Sequence, residues 1–256
     1  MKNPTQPKLR PVQKGQLNVQ LRTRFQPYKG VDDWRETFIP ATLETDKTVL
    51  LLCDVWDKHW CDGATERLNA MIPRMNRLAG SLRSRGVQIV HAPSDTLDFY
   101  EDAPQRQRAA LAPPVEPPEP LDLTDPPLPI DDSDGGCELD QEPYKAWHRQ
   151  HAGIEIAEMD ALSDNGGEVY SLFAQLGIDT MLIMGVHTNM CVLGRSFSIR
   201  QMTRWGVKVA LVRDLTDSMY NPAMRPFVSH DEGTELVIQH IEKYWCPTVL
   251  SEELIK

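Results

Sequence analysis

From Lys47 onward the chain alternates short apolar runs with stretches in which apolar residues recur every three or four positions. The runs fall at 48–53, 87–91, 154–156, 180–184, 207–212 and 248–250. Each has the length and composition of a strand buried on both faces. Between them, 64–84 puts Leu68, Met71, Ile72, Met75, Leu78 and Leu82 on one helical face, and Gly86 ends it. Residues 166–176 follow the turn Ser163-Asp164-Asn165-Gly166, and 231–245 gathers Leu236, Val237, His240, Ile241 and Tyr244 on one side. A further helix is expected from Val192 onward. Strand and helix repeated in this way predict a three-layer, doubly wound α/β fold with a mostly parallel six-stranded sheet.

Two segments depart from the rhythm. Residues 1–46 are polar and rich in Pro, Lys and Arg, and read as an N-terminal extension to a domain over 47–256. Within it, 17–25 alternates with period two, as an edge strand does. Residues 113–129 hold eight prolines with acids between them, which excludes a helix or an inner strand. This is either a surface excursion in extended conformation or a lid or oligomer arm over the active site.

Composition narrows the class. A chain of 256 residues with 41% hydrophobic content buries one large core. A net charge of −10 argues against nucleic acid or an anionic membrane as partner, and no run is long enough to span a bilayer. The first ten residues contain no apolar leader core, so a cytoplasmic location is expected, although an already processed form fits the same residues. Five cysteines without a CxxC spacing predict reduced thiols.

In such sheets ligands collect beyond the carboxyl ends of the strands. Asp54, His91, the 186–191 loop and Asp214 are expected there. Cys191 follows the run 180–184 and opens a helix, two placements that favour a thiolate. Asp54 can take a proton, and the amides of His187 and Cys191 can hold an oxyanion. Trp56, Trp60, His59 and His91 are candidate substrate-binding groups, the two tryptophans as walls of a flat pocket or as core. Asp57-Lys58-His59, the His91 and Asp95 pair, and His148 with His151 leave a divalent metal open. No organic cofactor is required.

The run Gly185-Val186-His187-Thr188-Asn189-Met190-Cys191-Val192, with Asp54 closing the first strand, resembles the isochorismatase-like cysteine hydrolases, which include nicotinamidases and carbamoylsarcosine amidases. The likeness covers roughly 46–250, and 211–217 resembles the family's fifth-strand end. It implies strand order 3-2-1-4-5-6, a Cys191 nucleophile, Asp54 as acid and base, and a cis bond between Val186 and His187 aiming the His187 amide into the oxyanion hole. It implies a lysine bridging the two, for which Lys145 fits the chain order best, Lys58 or Arg149 are substitutes, and the absence of any cation, with a weak or retired enzyme as the result, is the remaining alternative. The expected activity is cleavage of a small-molecule amide or related C–N bond through a thioester. A vinyl-ether hydrolase working from Asp54, or a non-catalytic binder, are the alternatives. Self-association is expected too, with Phe197, Ile199 and Met202 as contact residues.

Overall fold

A computed structural model describes residues 8–256. The first seven residues of the extension, on which much of the leader argument rests, lie outside the described residues. The strands are β1 (Gln16–Phe25), β2 (Arg35–Glu44), β3 (Thr48–Cys53), β4 (Gln88–Ala92), β5 (Ala161–Leu162), β6 (Thr180–Val186), β7 (Lys208–Asp217) and β8 (Thr248–Val249). The helices are α1 (Asp62–Ser84), α2 (Pro104–Ala110), α3 (Gly166–Leu176), α4 (Cys191–Gly194), α5 (Ile199–Arg204), α6 (His230–Tyr244) and α7 (Ser251–Ile255). One eight-stranded sheet has the order β2-β1-β8-β7-β6-β3-β4-β5. Its six parallel members, β8-β7-β6-β3-β4-β5, are the expected 3-2-1-4-5-6 order read from the other edge. The extension adds two antiparallel strands where one was expected: β1 pairs with β2 along its whole length and touches β8 at Arg22.

The alternation of side chains along each central strand divides the core in two. Val49, Leu51, Cys53, Met181 and Ile183 join the layer that includes α3, α5 and α6. Leu50, Leu52, Leu182, Met184 and Val186 pack with α1 and α7. Phe197, Ile199 and Met202 are fully buried in the first layer, so they serve the core and are not the self-association surface expected of them. No helix among the described residues is long and apolar enough to cross a membrane.

The third core strand lies later than expected. Ile154-Glu155-Ile156 is irregular and pairs with no strand, because α1 side chains take its backbone groups: Asn76 Oδ1 accepts from Glu155 N at 2.9 Å and Arg83 Nη2 donates to Glu155 O at 3.1 Å. The pairing to β4 is made instead by Ala161 and Leu162. Asp214 is also placed differently. It lies inside β7, accepts from Ser251 N at 2.8 Å at the start of α7 and pairs with Arg74, while Asp217 ends the strand.

The expectation of five reduced thiols is corrected as well. Cys61 and Cys137, 76 residues apart, form a disulfide with a Cα–Cα distance of 5.9 Å, leaving Cys53, Cys191 and Cys246 free. The fold brings the two together by laying the segment that follows the Pro-rich excursion against the start of α1. Gly136 permits that approach: a Cβ there would sit 2.3 Å from the Met219 carbonyl oxygen, and its φ of +72° suits glycine.

Candidate active site

Asp54 leaves β3 in a left-handed conformation, φ +50°, which Asp tolerates better than most residues. This turns its fully buried carboxylate across the sheet's carboxyl edge. Ser94 N donates to Oδ1 at 2.7 Å and Arg195 Nε donates to Oδ2 at 3.2 Å. Next to it, near the end of β6, stands Gly185, whose Cβ would lie 1.9 Å from the Cys53 carbonyl oxygen, so only glycine lets β6 and β3 run this close. The Val186–His187 bond that follows is cis.

The turn after it carries Cys191 to the same edge. Thr188 N donates to Asp217 O at 2.8 Å, and Met190 N and Val192 N both donate to His187 O at 3.0 and 3.1 Å. The amides of His187 and Cys191 stay outside this bonding among the described residues. The Asp54 carboxylate and the Arg195 guanidinium both lie near enough to the Cys191 thiol to act on its ionisation.

Arg195 is the group that the sequence reading missed. The helix expected from Val192 onward breaks after α4, and Arg195 takes an extended conformation there. Its amide donates to Cys191 O at 3.0 Å, so the side chains four positions apart share a side of the turn. That spacing was the available signal. Arg195 Nη2 also reaches Asp95 Oδ2 at 3.6 Å. Lys145, expected as the bridging cation, is exposed and donates to the Asp95 carbonyl at 2.7 Å. Lys58 is exposed, and Arg149 sits over the Phe99 ring with Nε 4.0 Å from Asp57.

Electrostatics correct one further expectation. Burial raises the Asp54 carboxyl above its ordinary range, against the pull of Arg195. Burial and then the Asp54 charge push the Cys191 thiol up to about 12. The free site therefore holds a thiol, and not the thiolate that a helix start alone would favour. The four-residue α4 offers too little dipole to reverse this.

Aromatic rings form the neighbouring wall. Trp56 stacks on Trp147 at 4.4 Å, His59 lies parallel to Trp147 at 5.8 Å, and the His187 ring meets His59 edge-on at 4.7 Å. Trp60 lies 5.2 Å from His59 and packs beside the Cys61–Cys137 bond. Burial, then Arg67, lowers His59 to about 4; burial, then His59, lowers His187 to about 3. Both imidazoles are neutral at physiological pH. His91 is not part of this wall. It is fully buried, accepts from Gln150 Nε2 at 3.0 Å through Nδ1, and gives its Nε2 proton to Asp160 at 3.0 Å.

The candidate metal ligands do not converge. Asp57 Oδ1 accepts from His148 N at 2.9 Å, His59 Nδ1 from Cys61 N at 3.2 Å, and His151 Nδ1 from Gly153 N at 3.0 Å. Among the described residues the one tight ligand group is Cys61, Cys137 and Glu138, and its sulfurs are bonded to each other.

The Isochorismatase domain model matches residues 48–227. A cysteine hydrolase from Pseudomonas syringae pv. phaseolicola 1448A is similar in structure, with 15% identity, 83% of this chain and 92% of that one covered, and a TM-score of 0.50. An isochorismatase from Pseudomonas putida KT2440 is similar at 12% identity, with 81% and 90% covered and a TM-score of 0.50. At these identities the likeness is one of fold. No curated protein matches the sequence significantly.

Proposed function

The chain belongs to the isochorismatase family, and from that premise we propose that it hydrolyses a small-molecule amide or related C–N bond through a thioester on Cys191. The observation that carries this reading is the meeting of Cys191, Asp54 and Arg195 at the carboxyl ends of β3 and β6. Cys191 Sγ attacks the carbonyl carbon while its proton passes to Asp54. The amides of His187 and Cys191 hold the oxyanion. Asp54 then gives the proton to the departing nitrogen, the C–N bond breaks and the amine leaves. Water, deprotonated by Asp54, attacks the thioester, and the acid leaves as the thiol regains a proton. Arg195 keeps Asp54 ionised between steps. The scheme uses no organic cofactor and routes no step through a metal.

The high Cys191 and raised Asp54 values favour a second reading, in which a protonated Asp54 donates directly to a vinyl ether and the sulfur is dispensable. A panel of small carboxamides, with ammonia release as readout, tests the first. Cys191→Ala should abolish turnover. A Cys191→Ala variant as active as the parent would refute the thioester. A parent that releases no ammonia but cleaves a vinyl ether, with Cys191→Ala active and Asp54→Asn inactive on it, would move the assignment to the vinyl-ether reaction, and turnover of neither substrate class would leave a binding protein. The Cys61–Cys137 bond is of a kind that persists in oxidising compartments, which weighs against the cytoplasmic location expected from the first residues.

A further inference from the structure

The segment between the Pro-rich excursion and Cys137 touches the catalytic turn at one polar point. Asp132 Oδ2 accepts from Asn189 Nδ2 at 2.7 Å. Asn189 is buried and lies two residues before Cys191. Its other contacts clamp the turn to the chain beyond β7: Nδ2 also donates to Met219 O at 3.0 Å, and Oδ1 accepts from Met219 N at 2.9 Å. The segment is held at both ends. Asp131 N donates to Arg225 O at 2.9 Å, Asn221 Nδ2 donates to Asp134 at 2.9 Å, and Cys137 is bonded to Cys61. Cys61 in turn donates its amide to His59, in the aromatic wall. One strap thus joins the nucleophile's turn to the wall facing it.

We propose that Asp132 is a positioning residue for Cys191, acting through Asn189 at the working end of a strap that the Cys61–Cys137 bond anchors. The proposal rests on the thioester reading for its effect on turnover, but its effect on the thiol stands alone. The fixed turn keeps Cys191 under the combined influence of burial, Asp54 and Arg195. Without the Asp132 bond Asn189 is held by Met219 alone, and the loosened turn lets the sulfur drift from that environment toward ordinary thiol behaviour. The unusual consequence is that Cys191 becomes easier to alkylate as the enzyme becomes slower.

The test is peptide-resolved iodoacetamide labelling of the full chain between pH 7 and 9.5, alongside turnover of the best carboxamide found. In Asp132→Ala, Cys191 labelling at pH 8.5 should rise at least about tenfold as the thiolate fraction increases. The kcat should fall roughly tenfold or more, with KM within about twofold, as misplacement of a reacting atom predicts. Asp132→Asn keeps an acceptor for Asn189 and should restore both to within about threefold. The double variant Cys61→Ser and Cys137→Ser should move both readouts in the direction of Asp132→Ala. If Asp132→Ala does not fold, this double variant carries the test. Unchanged labelling in whichever variant carries the test, or Asp132→Asn as impaired as Asp132→Ala, overturns the proposal. Faster labelling in a protein that hydrolyses no amide would leave the strap standing and sink the thioester reading alone.

Discussion

Replacing Arg195 with methionine removes the positive charge that favours the ionised form of Asp54 while retaining most of the side chain's volume. The guanidinium Nε lies 3.2 Å from Asp54 Oδ2, whose side chain is 0% exposed, while the Arg195 side chain is 34% exposed. Two unit charges at that separation attract by about 5 kcal/mol at an effective dielectric near 20. Solvent at the arginine reduces this. A neighbouring cation depresses a carboxyl by roughly one to three pH units, equivalent to about 1.4–4 kcal/mol. Burial already holds Asp54 above its ordinary value. Without Arg195 it rises further, and a larger share of the population is a carboxylic acid that cannot accept the thiol proton. The acid limb of kcat/KM should therefore move to higher pH by about one to three pH units, with a loss that approaches roughly 10- to 1,000-fold at pH values below both limbs. Arg195→Lys keeps the charge but not the fork spanning Asp54 and Asp95, and should fall between. The measurement is a pH–rate profile of both variants. A methionine variant whose profile overlays the parent's would refute the electrostatic role.

Other expectations follow from the same structure. Opening the Cys61–Cys137 bond frees a 76-residue separation, which by chain entropy costs about 4 kcal/mol. Calorimetry with and without reductant should show Tm lower by roughly 8–16 °C, and equal melting temperatures with all five thiols titratable would contradict this. His230 faces acceptors with both ring nitrogens, Asp217 at 2.8 Å and Tyr220 O at 2.9 Å, and so is held as an imidazolium. Burial opposes that charge, but Asp217 outweighs it and the value is raised. Its stabilisation is complete below the unfolded value near ~6.5 and is lost as pH climbs through the higher folded value. Urea midpoints should accordingly fall between pH 6 and pH 9 in the parent, and a slope just as steep in His230→Gln would rule this out. Gly185→Ala, with its Cβ 1.9 Å from Cys53 O and a φ of +126°, should cost about 3 kcal/mol or more. Soluble yield and a denaturant midpoint check it.

The parts of the fold that were legible are those governed by local periodicity. Strands β3, β6 and β7 are apolar along their central length, and α1, α3 and α6 carry one-sided stripes, so their existence and type needed no tertiary information, although β7 runs on past 212 to Asp217. The strand-end rule then located Asp54 and Cys191, since each directly follows such a run. The failures share a different physics. Ile154 and Ile156 alternate like a strand, but capture of the Glu155 backbone by Asn76 and Arg83 is a long-range event. Cys61 and Cys137 are joined across a separation no spacing rule reaches. Arg195 was hidden by a helix that breaks, because α4 ends just where its side chain must turn to Asp54. His91 was misjudged on parity. It pairs with Leu52, whose side chain enters the α1-side core, and it is buried with Asp160 and Gln150 away from the aromatic wall.

β2 forms the outer margin of the sheet, and its unpaired backbone groups offer a template to any extended polypeptide. Phe38 and Ile39 are about half exposed along it, at 52% and 49%. Pro40 interrupts the donors in the middle of the strand, and Arg35, Glu36 and Glu44 charge its ends. That proline and those charges are the features that oppose edge-to-edge pairing along this border. Tags or truncations that neutralise this border invite fibrous stacking before they ever disturb catalysis.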